Sequence, residues 1–400
     1  MVPGITYFPE IECDECGEPC SQCRWCAARQ NIQCRWCPAC QSKAFKRAFN
    51  SWTSGNLAID ELIKYTQLNP NECRGYLEWI PPESLFIDKQ LSEGAFSTFF
   101  LGKWIEGPRC TWDEEENRWI RSGPTECGLK RIDCSDKINQ DYLNNILKHH
   151  QCLQGRSMVD CFGITREPET GSYMFVVKLC EENLYKYLKR NMRELSWQKK
   201  VKMLYKIAGG LKQIHDCRLY HGNLHGGNLL TETTVDGVNI RISDTGLHGP
   251  PDRTSAVYGV LSFVAPEVLK GGKCTQASDI YSFGIIMSTF STCIPPFNQI
   301  PHDLDLAIRI CKGLRPKIYE DTPKIYLDLM ERCWHQDPNK RLKITELYNN
   351  LSNLVSVMRD DPTSSISQQF AAADRANSKK SIIPKSQVLY NSKLISFEIP

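Results

Sequence analysis

Two hydrophobic periods alternate along the chain. Residues 85–87 and 97–101 are short apolar runs of strand type on either side of a small-residue turn, Ser92, Glu93, Gly94 and Ala95; Leu129, Lys130, Arg131 and Ile132 form a third. Such a turn can fold backbone over phosphates, although most small-residue turns bind nothing. Lys130, on pattern alone, reads as an edge residue before it reads as a phosphate contact. The helical period appears in Val201, Leu204, Ile207, Ala208, Leu211 and Ile214, and in shorter form in Ala58, Leu62, Ile63 and Leu68, where Asn56 is placed to cap. Residues 280–301 carry no Asp, Glu, Lys or Arg over 22 positions, about the length of a bilayer span. Gly284, Pro295, Pro296 and the hydroxyls of Ser282, Ser288, Thr289, Ser291 and Thr292 argue against lipid. The run is expected to be a buried helix.

These patterns divide the 400 residues into four parts: a cysteine-rich module at 1–47, a helical connector at 48–83, a densely patterned domain at 84–356 and a mostly disordered tail at 357–400. A single core stops growing near ~250 to 300 residues, so one large domain with additions is the expected plan. The tail is rich in Ser, Gln and Ala. Within it Val388, Leu389, Leu394 and Ile395 form an apolar patch that either docks on the chain or meets a partner. Lys and Arg at 49 against Asp and Glu at 46 leave a net +3, too even to favour nucleic acid or an anionic membrane, so protein partners are expected. Residues 1–10 lack the basic and apolar segments of a secretion leader. A reducing compartment, cytoplasmic or nuclear, is the expectation.

That compartment bears on the 20 cysteines, because reduced thiols at short spacing bind metal more often than they pair. Cys13, Cys16, Cys20, Cys23, Cys26, Cys34, Cys37 and Cys40 contain five Cys-x-x-Cys pairs. Tetrahedral zinc takes four thiolates, so two structural Zn²⁺ sites are expected, with the partition among the eight left open and free or redox-active thiols as the alternative. The remaining cysteines are scattered and read as small buried residues.

The richest stretch follows the long helix: His221-Gly222-Asn223-Leu224-His225-Gly226-Gly227-Asn228. After it come Asp244-Thr245-Gly246, Ala265-Pro266-Glu267, the run from Asp279 to Gly284, Gly313-Leu314-Arg315-Pro316, and Cys333-Trp334 with Asp337-Pro338 and Arg341. In this order and spacing the chain, from about residue 83 to 355, resembles a protein kinase domain, and more narrowly the tyrosine-kinase-like group. The resemblance implies an α+β fold of two lobes, a small β-rich N-lobe and a larger helical C-lobe. It also implies a site for ATP and Mg²⁺. Lys130 would meet the phosphates, and Asn228 and Asp244 would hold magnesium. Gly94, Phe96, Phe99, Gly128, Val177, Leu179, Cys180 and Leu230 would surround the nucleotide, residues 178–180 would link the lobes, and Arg341 would pair with Glu267.

Several positions depart from that pattern. Asn223 stands where the family has its proton-accepting aspartate, next to His221, and an amide neither accepts a proton nor carries negative charge near neutral pH. Gly222 replaces an arginine that reads a phosphorylated activation segment, and Asn145 aligns with the glutamate that pairs with the strand lysine. Asp141, one helical turn earlier, is a shorter substitute. Ser92 and Ser97 replace glycines of the phosphate turn, and Phe99 replaces a valine, which should narrow the adenine pocket. His225 lies where a lysine is common, although histidine also occurs there, and carries little weight. Thr254, Ser255, Tyr258 and Ser262 offer hydroxyls for modification, while Val260 and Phe263 weaken the case for peptide-substrate recognition.

The expectation is therefore a pseudokinase that keeps a nucleotide site, transfers phosphate poorly or not at all, and acts as scaffold or regulator. Two alternatives stay open: a slow but active serine/threonine kinase using Asp141, and a cysteine-rich interaction module on a kinase-fold platform.

Overall fold

The computed structural model describes residues 42, 45–69, 75–94, 97–113, 118–132, 138, 140–150, 157–235, 237–245, 257–377, 390 and 392–395. The eight cysteines from Cys13 to Cys40 and Phe96 lie outside these residues. The chain divides into two compact units, one drawn from residues 1–92, 98–136 and 160–179, the other from 93–97, 137–159 and 180–400. The division after residue 179 falls inside the expected linking segment.

The first unit begins with helix α1 (Leu57–Leu68), capped by the Asn56 side chain, which accepts from the Ala58 and Ile59 amides. Its buried apolar face is Ile59, Leu62 and Ile63, while Leu68 is exposed, so the stripe is rotated from the one read in the sequence. Thr66 and Gln67 tie the helix to the Leu77 backbone at 3.0 and 2.9 Å. Strands β1 (Glu78–Trp79), β2 (Leu85–Glu93) and β3 (Ser97–Trp104) follow, then the separate hairpin of β4 (Arg109–Asp113) and β5 (Arg118–Arg121). With β6 (Thr125–Ile132), β7 (Cys161–Arg166) and β8 (Tyr173–Lys178) they build a six-stranded sheet in the order β1-β7-β8-β6-β3-β2. Alternation fixes what each face carries. Cys127, Leu129, Met174 and Val176 point one way into a core with Ile80 and Trp104. Gly128, Lys130, Phe175 and Val177 therefore share the opposite face. Because β6 is an interior strand and Lys130 is only 6% exposed, the edge-residue reading of Lys130 is corrected.

The second unit is mainly helical: α2 (Gln140–His150), α3 (Leu184–Asn191), α4 (Trp197–Asp216), α5 (Pro266–Leu269), α6 (Gln276–Thr292), α7 (Leu304–Cys311), α8 (Lys324–Cys333), α9 (Ile344–Asp360) and α10 (Ser365–Asn377). Small sheets join β9 (Glu182–Asn183), β10 (Leu229–Thr234) and β11 (Gly237–Ile242), and pair β12 (Val257–Gly259) with β13 (Lys393–Ile395). Every apolar position read for the long helix is buried in α4. The uncharged run is helical only as far as Thr292, where it forms most of α6, buried on all sides from Ser278 to Ser291, which explains why that part has no polar face; residues 293–301 leave the helix in turns. Thr275 and Ser278 close its N-terminus as a capping box. No helix among the described residues is long and apolar enough to cross a membrane. Arg341, its side chain fully buried, grips Glu267 with two bonds of 2.6 and 2.7 Å and also donates to the carbonyls of Ala277 and His335.

The tail differs from its expectation. In α10, Ile366, Phe370 and Ala373 recur at helical spacing; Phe370 and Ala373 are buried, and the Phe370 ring packs 5.8 Å from Trp197. The Asp374 carboxylate accepts the Trp197 amide of α4 at 2.8 Å. Small and polar residues diluted the average hydrophobicity without removing this stripe. Among the described cysteines, Cys127, Cys293, Cys311 and Cys333 are buried, whereas Cys217 is exposed and the others are intermediate. The reading of uniformly buried thiols is narrowed accordingly.

Candidate functional site

The candidate residues fall into two groups, one in each unit. In the first unit, Gly128 faces Val177 across the β6–β8 ladder and Lys130 faces Phe175. Phe99 lies over Gly128: a Cβ on that glycine would sit 2.3 Å from the Phe99 Cζ and 3.1 Å from Val177. The bulk of Phe99 is thus accommodated by the missing side chain at 128, and the expected narrowing is offset. Arg131 points away from Lys130, toward Glu167 (3.3 Å) and Thr98 (3.2 Å). At the tip of the β2–β3 hairpin, residues 93–97 of the second unit, the Gly94 amide donates to the Ser97 carbonyl at 2.9 Å, and Gly94 is exposed. Leu179 is half-buried.

In the second unit the loop after α4 is organised by Asp279 of α6. This carboxylate, 1% exposed, accepts the His221 amide (2.7 Å), the Gly222 amide (2.9 Å) and His215 Nε2 (2.9 Å). Gly222 adopts φ +77°, a left-handed conformation that strains any residue with a Cβ. The glycine that removes the arginine therefore also fits the turn.

His221 is fully buried and its two ring nitrogens are assigned by their partners. Nδ1 accepts the Asn223 amide at 3.1 Å, so Nε2 carries the proton and donates to the Ser243 carbonyl at 2.9 Å. Burial holds His221 below the ordinary histidine range, against the opposing pull of Asp279. Asn228 donates through Nδ2 to the Asn223 carbonyl at 3.0 Å. Its own carbonyl receives the Ser243 amide (2.9 Å) and hydroxyl (3.2 Å). The β10–β11 register sets Leu229 opposite Ile242, which brings Asn228 beside Ser243, one residue before Asp244. His221, Asn223, Asn228 and Asp244 thus belong to one stitched cluster, and Asp244 is held at φ +63°. The donor set, an amide oxygen and a carboxylate, suits a hard cation such as Mg²⁺. No group of metal-ligating side chains suited to zinc occurs among the described residues.

Cys180 and Leu230 lie at neighbouring edges: the Glu181 amide donates to the Thr231 carbonyl at 3.2 Å, and Leu230 pairs with Asn183. On α2, Asp141 is exposed, while His149 bridges the carbonyls of Asn145 (2.8 Å) and Tyr220 (3.3 Å). Ser262 is fully buried and so is no exposed modification site; Thr254 and Ser255 lie outside the described residues.

Sequence reasoning missed two members of this site, His225 and Ser392. His225 Nδ1 accepts the Gly227 amide at 3.0 Å, which leaves the proton on Nε2, 3.0 Å from the Ser392 hydroxyl. Burial pushes His225 down to about 3, although Asp244 favours its charged form. Asn223 reaches the same hydroxyl through Nδ2 (3.0 Å) and Oδ1 (3.3 Å). The apolar pair Leu394 and Ile395 was the only signal that this segment docks.

Comparison with known proteins adds a third line. The sequence profile described as protein tyrosine and serine/threonine kinase matches residues 85–351. A mimivirus protein of Acanthamoeba polyphaga mimivirus, named as a serine/threonine-protein kinase/receptor, is 32% identical over 163 residues, 40% of this chain and 10% of its own length. A probable serine/threonine-protein kinase of Dictyostelium discoideum is 24% identical over 306 residues, 70% of this chain and 16% of its own. Another from the same organism is 26% identical over 285 residues, 68% and 28% respectively. This chain therefore spans well under a third of the relatives it matches.

Proposed function

The chain belongs to the protein tyrosine and serine/threonine kinase family, and from that premise we propose that it is a pseudokinase, a kinase fold that binds nucleotide with magnesium but transfers phosphate poorly and serves as a scaffold or regulator. The observation that carries this reading is the chemistry at Asn223. Its amide meets the Ser392 hydroxyl through Nδ2 at 3.0 Å and Oδ1 at 3.3 Å, and an amide oxygen can accept a hydrogen bond from that hydroxyl but cannot take its proton as a base would. His225 does not substitute: its Nδ1 lone pair is taken by the Gly227 amide, and the nitrogen facing the hydroxyl already bears a proton. Losing general-base assistance raises the barrier by roughly 3 to 5 kcal/mol. Exposed Asp141 gives no support to the slow-kinase alternative.

Nucleotide binding rests on Lys130 and Gly128 sharing one sheet face and on the oxygen donors of Asn228 and Asp244. When bound, magnesium would neutralise phosphate charge; Asn228 and Asp244 would hold it, and Lys130 would orient the phosphates. For residues 1–47 we propose two zinc ions on the eight clustered cysteines, from their spacing alone; two equivalents of zinc per purified chain is the expected stoichiometry.

The test uses the full chain and an Asp244→Ala variant. Millimolar ATP with magnesium should raise the melting temperature of the unaltered chain and not of the variant, and radiolabelled transfer should be equal in both. Transfer that Asp244→Ala abolishes would overturn the pseudokinase reading, and no thermal shift would reduce the chain to a scaffold without nucleotide.

A further inference from the structure

The C-terminal strand carries a hydroxyl to the residue on which the loss of catalysis turns. We propose that Tyr390 and residues 392–395 are a tethered ligand that occupies in cis the surface formed by β12, Asn223, His225 and Pro296 of the second unit, excluding other extended segments until the strand is released. The inference goes beyond the proposed function and holds whether or not phosphate transfer survives.

Three features of the second unit meet in this segment. Strand β13 pairs antiparallel with β12, placing Lys393 opposite Gly259, Leu394 opposite Tyr258 and Ile395 opposite Val257. This is strand addition, in which main-chain bonds supply affinity and a few side chains supply selectivity. Ser392 is the first such side chain. Its oxygen accepts from His225 Nε2 and Asn223 Nδ2, both at 3.0 Å, and its proton is directed to Asn223 Oδ1 at 3.3 Å. A hydroxyl has one proton and two lone pairs, so all three are used. Tyr390 is the second: its hydroxyl donates to the Pro296 carbonyl at 2.9 Å, and its ring lies 5.4 Å from Tyr185 and 5.2 Å, edge-on, from His302.

Gly259 leaves room for this arrangement. A Cβ there would lie 3.3 Å from Asn223 Oδ1 and 3.2 Å from Val264, at a φ of +144° that disfavours any side chain. Lys393 and Leu394 are exposed. Recognition therefore rests on the aromatic residue, on the hydroxyl residue two positions after it and on the half-buried Ile395, which packs against the core. A competing partner would be an extended peptide with that aromatic-x-Ser/Thr pattern.

The test measures binding of a fluorescein-labelled peptide of residues 387–397 to the full chain by anisotropy. Tethering gives the cis strand an effective concentration on the order of millimolar, so the unaltered chain should bind the peptide weakly. A full-length Tyr390→Ala, Ser392→Ala variant should bind it at least about tenfold tighter, and adding Gly259→Val should abolish that gain. Equal affinity of the unaltered and double-variant chains, or binding by neither, overturns the proposal. Hydrogen exchange on the unaltered chain gives a second, variant-free reading. Amides of residues 257–259 should be protected and stay protected when saturating peptide replaces the tail, while the amides of the chain's own residues 393–395 lose protection, and a peptide with Ala for Tyr390 and Ser392 should change neither; fast exchange at 257–259 in the unaltered chain overturns the proposal equally.

Discussion

The phenyl ring of Phe99 rests on the Cα of Gly128, with no space for a methyl group between them. The bulk of Phe99, a departure from the kinase pattern, is therefore matched by the missing side chain at Gly128 across β3 and β6. Gly128→Ala should cost about 1 to 3 kcal/mol as an overpacked core position. Phe99→Val should leave a cavity and also destabilise, while the double variant should recover most of either loss. Urea unfolding midpoints of the four proteins check this; additive losses would show that the two positions are independent.

The Glu267–Arg341 pair makes a sharper stability prediction. Arg341 is fully buried and satisfied by a bidentate carboxylate and two carbonyls, so Arg341→Met strands four acceptors at once. Breaking such a pair costs roughly 3 to 5 kcal/mol, and the lower end applies because Glu267 keeps a quarter of its side chain in water. Glu267→Gln, which keeps one acceptor, should cost less. Thermal unfolding of both variants distinguishes this from a solvent-screened pair, for which the two changes would be nearly silent.

How much of this was legible in the sequence follows from what each signal depends on. The long helix α4 and the buried α6 were readable because periodicity and the absence of charge are local properties. The Glu267–Arg341 pair, 74 residues apart, was legible only through family resemblance. Lys130 could not be assigned from its strand alone, since interior placement depends on β3 and β8 on either side. Ser392 was invisible for a stronger reason: its partners Asn223 and His225 lie 169 and 167 residues away, and a serine in a polar tail carries no pattern. In α10 the spacing of Ile366, Phe370 and Ala373 carries the helical period, but the small and polar residues between them hide the stripe from composition.

The geometry at Asn223 predicts the product of restoring the base. With Asn223→Asp, a carboxylate would stand beside the Ser392 hydroxyl, so phosphate transfer should rise on the order of 100-fold, the lower end of general-base effects. The gain stays small if, as the family resemblance implies, Asn145 stands in place of the lysine-orienting glutamate. Ser392 should be the first acceptor. Mass spectrometry of the tail peptide after incubation with ATP and magnesium reads this directly; a gain of transfer that spares Ser392 would show that the hydroxyl is not held there in solution.

Acid should weaken this unit through its buried histidines. His225 titrates near 6.5 in an unfolded chain and at about 3 in the folded one, because burial disfavours its charged form and the facing Gly227 amide occupies the nitrogen that would take the proton. Between those values the unfolded state binds the extra proton, so stability is fully present above about pH 6.5 and is lost as pH falls toward 3. His221 is shifted in the same direction and adds to the loss, whereas Asp244 opposes the shift at both. From pH 7.5 to 5.5, a window in which ordinary carboxylates stay ionised, His225 alone should account for about 1.4 kcal/mol. That corresponds to a fall of about 3 to 5 °C in melting temperature. His225→Gln carries no titrating group, so its melting temperature should change less over the same window even if it starts lower. Parallel pH profiles for the two proteins would mean that His225 takes up its proton in the folded chain, with Ser392 and the Gly227 amide no longer held as described.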